Sequence, residues 1–269
     1  MNFWQRNLAA ARLAWVQQFE YRFNLFVDAI LQPVLTAIVE VGLWYAMVSS
    51  IGDGTGLAGF SKAHYLHYAL WAAFFARISV NWMYEFKMAE EIQSGTINVI
   101  LTRPLSFYEF YLSQFLSYKV LTSLLSLMVP AIVVGIFFPG PTDLSRLPLA
   151  CTLVLAYLVL VFNLSFIVAC IGFHLNKVSA ISMAKNIAIW CLTGELFPID
   201  LAPEGIRRIL LDLPFASGVF IPVGYLTGRV EPQLVFRSFG VVAVWAMVTG
   251  LLGRGLWIAS IKRYSGTGA

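Results

Sequence analysis

The chain has 269 residues, of which 59% are hydrophobic and 12% charged, with a net charge of +4; soluble domains carry about 25% charged residues. So little polar surface cannot cover a water-soluble globule of this size, which excludes a soluble enzyme, a nucleic-acid-binding domain and a disordered or fibrous chain. The composition is that of an integral membrane protein, and the small, scattered basic excess reads as positive-inside bias, with no nucleic acid partner.

Trp4, Leu8, Ala11, Trp15 and Phe19 recur at helical spacing, while Gln5, Arg6, Arg12 and Gln17 occupy other faces. Residues 1–22 therefore read as an amphipathic helix lying in the membrane interface. The first twenty residues lack the apolar run of a signal peptide, so this start is expected to stay on the mature protein.

Residues 23–269 read as a single transmembrane domain. A helix needs about 20 apolar residues to cross a bilayer, and six segments approach this: Phe23–Met47, Tyr65–Tyr84, Tyr111–Phe138, Leu147–Phe173, Val178–Phe197 and Leu234–Ile261. Strands of a membrane barrel alternate apolar and polar residues over about 10 positions, whereas LACTLVLAYLVLVFNLSFIVAC stays apolar on every face. The predicted fold class is an all-α integral membrane protein with six transmembrane helices, the N-terminal interfacial helix and short re-entrant helices between spans five and six.

An even number of spans puts both termini on one side. That side carries Arg6, Arg12, Arg22, Lys87, Arg103, Lys177, Arg254, Lys262 and Arg263, against Lys62, Arg146, Arg207, Arg208 and Arg229 on the other. The excess places both termini in the cytoplasm.

Three connections stand out. The first outside loop, SSIGDGTGLAGFSK, is Gly-rich without a following Gly-Lys-Ser/Thr and reads as a link, not a phosphate cradle. The cytoplasmic loop, residues 85–110, predicts a short helix, a turn at Ser94-Gly95 and a second amphipathic piece stopped by Pro104. The external region, residues 195–232, interrupts its apolar pieces with Pro198, Pro203, Pro214 and Pro222; pieces too short to cross read as re-entrant or interfacial helices, with Glu195, Pro198 and Pro214 as the marked positions.

The chain has no GxxxxGK[ST], HExxH or GxSxG motif, so no catalytic residue is assigned and no enzyme activity of its own is expected. Cys151, Cys170 and Cys191 show no metal or disulfide spacing and read as small core residues. His64 and His67 sit three apart but want a third ligand, so they read as interfacial polar residues and no metal site is expected. Asp28, Glu40 and Arg77 fall inside spans, where each charge costs roughly 2.5 to 3.5 kcal/mol on insertion scales. Two readings follow: Arg77 neutralises Glu40 or Asp28, or the three line a polar pathway. Asn81, Asn163 and Asn186 are expected to hydrogen-bond between helices. In the cytoplasmic loop, Glu85, Glu90 and Glu91 with Ile92, Ile97, Val99 and Ile100 form an amphipathic knob suited to docking into a partner groove.

The amphipathic start, the six spans and three short motifs together resemble the permease subunits of bacterial type-two ABC exporters. The motifs are Glu91-Ile92-Gln93-Ser94-Gly95-Thr96-Ile97 followed by Leu101-Thr102-Arg103-Pro104; Leu196-Phe197-Pro198-Ile199 with Leu213-Pro214-Phe215; and Arg263-Tyr264-Ser265-Gly266. The resemblance implies a dimer of permeases, two copies or a copy and a paralogue, served by two P-loop ATPase subunits in the bacterial inner (cytoplasmic) membrane. ATP and Mg would bind those ATPases, and this chain would hold no cofactor. The first motif would be the coupling helix, with Glu90, Glu91, Ile92, Ser94, Gly95, Ile97 and Arg103 as its working residues. Ile92 and Ile97 would make the apolar contact, Glu90 and Glu91 would meet basic groups, and Gly95 would allow the turn. The path for a lipid-like, glycan or drug-like substrate would run between the permeases along spans one, two and five. The plain first outside loop departs from members with a folded external domain. The alternative is a stand-alone secondary carrier or channel, although the two halves show no detectable repeat. A membrane-embedded lipid enzyme would need Asp28, Glu40, His174 and Glu195 to converge.

Overall fold

The computed structural model describes residues 3–49, 61–102, 105–175, 177–262 and 264, and among these all regular structure is helical. Residues 50–60 of the Gly-rich first loop, Arg103, Pro104, Arg263, Ser265 and Gly266 lie outside the described residues. In chain order the helices are α1 (Phe3–Glu20), α2 (Arg22–Phe26), α3 (Gln32–Ser49), α4 (Lys62–Ser79), α5 (Trp82–Ser94), α6 (Ile97–Leu101), α7 (Phe107–Ile132), α8 (Leu147–Ile171), α9 (Ser179–Leu192), α10 (Glu204–Asp212), α11 (Phe220–Leu226) and α12 (Pro232–Ile261). A π-helical turn, Val27–Leu31, joins α2 to α3. Pro33, which lacks an N–H and crowds the carbonyl four residues back, accounts for the widened turn before it.

α8 is apolar on every face, and such a helix belongs in the interior. Accordingly Leu153, Tyr157, Leu158 and Phe162 are fully buried, and α5, α11 and α12 all pack against α8. Trp71, Phe74 and Phe75 of α4 complete the core. Asn163 pins three helices together: its Nδ2 donates to the Ala246 carbonyl of α12 at 2.8 Å, and its Oδ1 accepts from Tyr108 Oη of α7 at 2.6 Å. This is the interhelical role the sequence assigns to it. α7 starts at a capping box in which Ser106 and Glu109 satisfy each other's backbone amides.

Among the described residues, four helical stretches are long and apolar enough to cross a membrane: Arg22–Ser49, Phe107–Phe137, Leu144–Ile171 and Pro232–Ile261. The shortest of these, at 28 residues, is roughly 42 Å long at 1.5 Å per residue. The segments expected to be spans two and five are shorter. α4 has 18 residues and carries Lys62, His64, His67 and Arg77, and α9 has 14.

α1 buries Ala10 and Ala14 on α7, to which it is tied by Trp15 Nε1 donating to the Ser117 carbonyl at 3.0 Å and Ser113 Oγ donating to Asn7 Oδ1 at 2.7 Å. Leu8, Val16 and Phe19 remain exposed along its other side. One face therefore rests on protein, and the apolar remainder is free for lipid.

Candidate functional site

The predicted span Tyr65–Tyr84 does not run unbroken. α4 ends at Ser79, Val80 is extended and Asn81 has φ −138°, after which α5 begins. No Pro or Gly marks this break; tertiary hydrogen bonds hold it. Ser79 Oγ donates to the Gly218 carbonyl at 2.8 Å, and Ser165 Oγ donates to the Asn81 carbonyl at 3.2 Å. A carbonyl released from its helix is thereby satisfied from α8, as a buried break requires.

Beyond the break, α5, Gly95 and α6 form the hairpin the sequence predicts. Gly95 takes φ 80°, the left-handed region in which a side chain is penalised. Ser94 and Thr96 hydroxyls join across the turn at 2.8 Å, Gln93 Nε2 donates to the Leu175 carbonyl at 3.0 Å, and Tyr264 Oη donates to the Gly95 carbonyl at 3.4 Å. Tyr264 is itself set edge-on against Phe173, 5.7 Å between ring centroids. Tyr264 thus braces the turn, a role its sequence did not declare.

The apolar side of the hairpin differs from expectation. Ile92, Ile97 and Ile100 are buried in the main core; they fasten the hairpin to its own chain and cannot be the apolar contact offered to a partner. The surface left open carries Glu90, Gln93, Ser94, Thr96, Val99, Leu101 and Thr102, with Glu91 half-buried. Val99 is 58% exposed and Leu101 43%, and these are apolar groups of the hairpin that can meet another protein. Glu85, expected on the same acidic knob, is fully buried and ion-paired with Lys185 of α9. Lys185 Nζ also donates to Ser165 Oγ at 3.0 Å. A polar chain therefore runs from α5 through α8 to α9, and nothing in the sequence joins its members: Lys185 lies 100 residues from Glu85 and 20 from Ser165.

Of the three intramembrane charges, Arg77 pairs with Asp28, Nη2 to Oδ1 at 3.1 Å, and Tyr118 Oη donates to the other carboxylate oxygen at 3.1 Å. Glu40 is elsewhere, within electrostatic reach of Glu195. The pair lines a polar cavity of about 70 Å³ together with Asn81, Lys119, Thr122 and Ser126. On the other side of the α4–α5 break, α4, α8 and α9 enclose a groove of about 520 Å³. Val161, Ile187, Ile189 and Trp190 make it apolar, and Ser179, Ser182, Asn186 and Thr193 set a polar stripe along it, with Glu195 beyond the end of α9.

In residues 195–232 Pro198 and Pro214 are buried and open short 3₁₀ turns, Ile199–Leu201 and Pro214–Ser217. α10 buries none of its residues and exposes Ile206 and Ile209. Arg229, counted in the sequence as a loop charge, has a fully buried side chain that donates to Asp200 through Nη2 at 2.7 Å and Nε at 3.0 Å. Its guanidinium lies 4.5 Å from the Tyr65 ring and 5.2 Å from the Tyr68 ring. His64 and His67 bond Ser61 and Thr142 at 2.8 Å each. Among the described residues no group of three or more His, Cys, Asp or Glu could hold a metal ion, and all three cysteines are free.

A helical chain with four membrane-length helices among its described residues is a multi-pass membrane protein. Residues 34–268 match the family model described as ABC-2 family transporter protein. The chain belongs to that family and is a permease of an ABC transporter, a class that works with ATPase partners. No curated protein matches the chain.

Proposed function

We propose that this permease is the transmembrane half of a bacterial ATP-driven exporter, and that the α5–Gly95–α6 hairpin is the lever on which a separate ATPase pushes. The observation that carries the reading is the build of the hairpin: buried Ile92, Ile97 and Ile100 anchor it, Gln93 and Tyr264 brace it, and Glu90, Ser94, Thr96 and Val99 remain open. A lever must be stiff inward and accessible outward, and the chain's lack of a P-loop calls for a hydrolytic partner. Arg103, next but one after α6 in the sequence, is proposed to take part in the same contact.

Two permeases, identical or paralogous, each engage one ATPase, which holds the ATP and Mg. α4 and α9 serve as spans two and five, giving six crossings with both termini in the cytoplasm of the bacterial inner membrane. α10 and α11, at nine and seven residues, are too short to cross and re-enter from the external side. The Glu85–Lys185 pair joins the lever to α9, so a displacement of the hairpin reaches the wall of the 520 Å³ groove. Its apolar lining with a polar stripe suits a lipid-like or drug-like cargo better than a small ion.

The test is a mild-detergent purification of the tagged chain from its native membrane, with mass spectrometry of whatever accompanies it. A P-loop ATPase in stoichiometric amount, lost on Val99→Arg or Glu90→Arg, supports the reading. A folded chain that transports in liposomes with no ATPase refutes it and makes the protein a stand-alone carrier.

A further inference from the structure

The polar cavity on the α7 side of the α4–α5 break has more positive charge and more donor capacity than its own residues use. Arg77 and Asp28 neutralise each other, which leaves Lys119 as the cavity's unpaired charge. Lys119 is 7% exposed. Its described partners are the Arg77 carbonyl, accepting from Nζ at 3.3 Å, and the rings of Phe115 and Tyr118, each 5.9 Å away. An isolated ammonium in such surroundings costs several kcal/mol unless an anion or water compensates it.

Two other side chains in the same wall point to a ligand independently of charge. Asn81, 3% exposed, has neither Oδ1 nor Nδ2 hydrogen-bonded, and Ser126, 2% exposed, has a free Oγ. Buried amides and hydroxyls are almost always partnered, because an orphan forfeits its hydration without return. Here two orphans and an unpaired cation share a cavity of about 70 Å³, room for a group of a few heavy atoms. Asn81 sits there only because α4 breaks at Val80, so the break that ends the helix also supplies the donor.

We propose that this cavity is an oxyanion site, which takes the carboxylate or phosphate monoester of a ligand between Lys119 Nζ and Asn81 Nδ2, with Ser126 lining the cavity about two helical turns further along α7. An ammonium and an amide N–H are donors suited to one acidic group, and charge-assisted bonds of this kind are the strong ones. A cation would be repelled, and a neutral sugar would leave Lys119 uncompensated. Two sources carry such a group: an acidic amphiphile entering past half-exposed Asp28 and Arg77 and exposed Met83, or a soluble anion. The site goes beyond the coupling reading and does not depend on it, since binding is measured on the permease alone.

The experiment is thermal unfolding of the purified permease in a neutral maltoside detergent, titrated with dodecyl phosphate, dodecyltrimethylammonium or inorganic phosphate. Dodecyl phosphate is expected to raise the midpoint saturably while the ammonium amphiphile does not. The apparent affinity should fall about tenfold or more in Lys119→Gln and in Asn81→Ala. Lys119→Arg should retain binding, as should Arg254→Gln on exposed α12. Asn81→Ala, which removes an amide that has no partner of its own, keeps the test valid if Lys119→Gln fails to fold. Saturable stabilisation by inorganic phosphate with no gain from the alkyl chain supports the oxyanion site and assigns it to a soluble anion. Equal stabilisation by both amphiphiles, no stabilisation by any anion, or unchanged affinity in both variants overturns it.

Discussion

Lys185→Met tests whether the α5–α9 link is structural. Glu85 is fully buried and Lys185 12% exposed, so removing the ammonium leaves a carboxylate in apolar surroundings with neither water nor partner. Breaking one member of a buried pair costs about 3–5 kcal/mol, whereas replacing both by apolar groups of similar volume is close to neutral. Ser165 Oγ loses its Lys185 contact but keeps its bond to the Asn81 carbonyl, which limits the extra loss to a fraction of one hydrogen bond. The expected cycle is therefore strongly non-additive: Lys185→Met and Glu85→Leu each destabilise by about 3 kcal/mol or more, and the double variant recovers most of the loss. Chemical unfolding in mixed micelles, followed by tryptophan fluorescence, supplies the three differences. A single variant that loses less than about 1 kcal/mol, or a double variant that loses the sum of both, refutes a buried, interacting pair.

Three further outcomes are expected. Gly95→Ala places a side chain at φ 80° and should cost roughly 1–2 kcal/mol locally, read as faster hydrogen exchange across residues 92–98 with little change elsewhere. Asn163→Leu strips partners from Tyr108 Oη and the Ala246 carbonyl and should destabilise by about 1–2 kcal/mol, measured by unfolding in detergent. Val99→Arg, at a position 58% exposed, should change stability by no more than about 0.5 kcal/mol while abolishing ATPase capture in the pull-down; retained capture would move the docking contact elsewhere on the hairpin.

Helix identity was legible wherever a local rule governs it. The 25 residues of α8 are apolar on all sides, and an all-apolar helix is interior. Gly95 was legible as a turn because an exposed amphipathic piece had to stop and restart there. What the sequence could not hold is which partner a group meets across the fold. Ile92 and Ile97 have the same periodicity whether they cover their own body or another protein's groove, and the structure turns them inward. Arg77 had two carboxylates in reach by spacing, and only packing selects Asp28. The break at Val80 left no sequence mark, because the groups that permit it, Ser165 and Gly218, lie 84 and 139 residues away along the chain from Asn81 and Ser79.

The brace between Tyr264 and Gly95 spans 169 residues, and chains are synthesised from one end. The hairpin leaves the ribosome early and can be inserted, turned and partly seated by Ile92 and Ile97, yet its last support arrives only when α12 has crossed and Tyr264 has emerged. Bracing of the turn therefore waits for the segment that follows α12: a chain stalled or cut before residue 264 presents an unfinished hairpin.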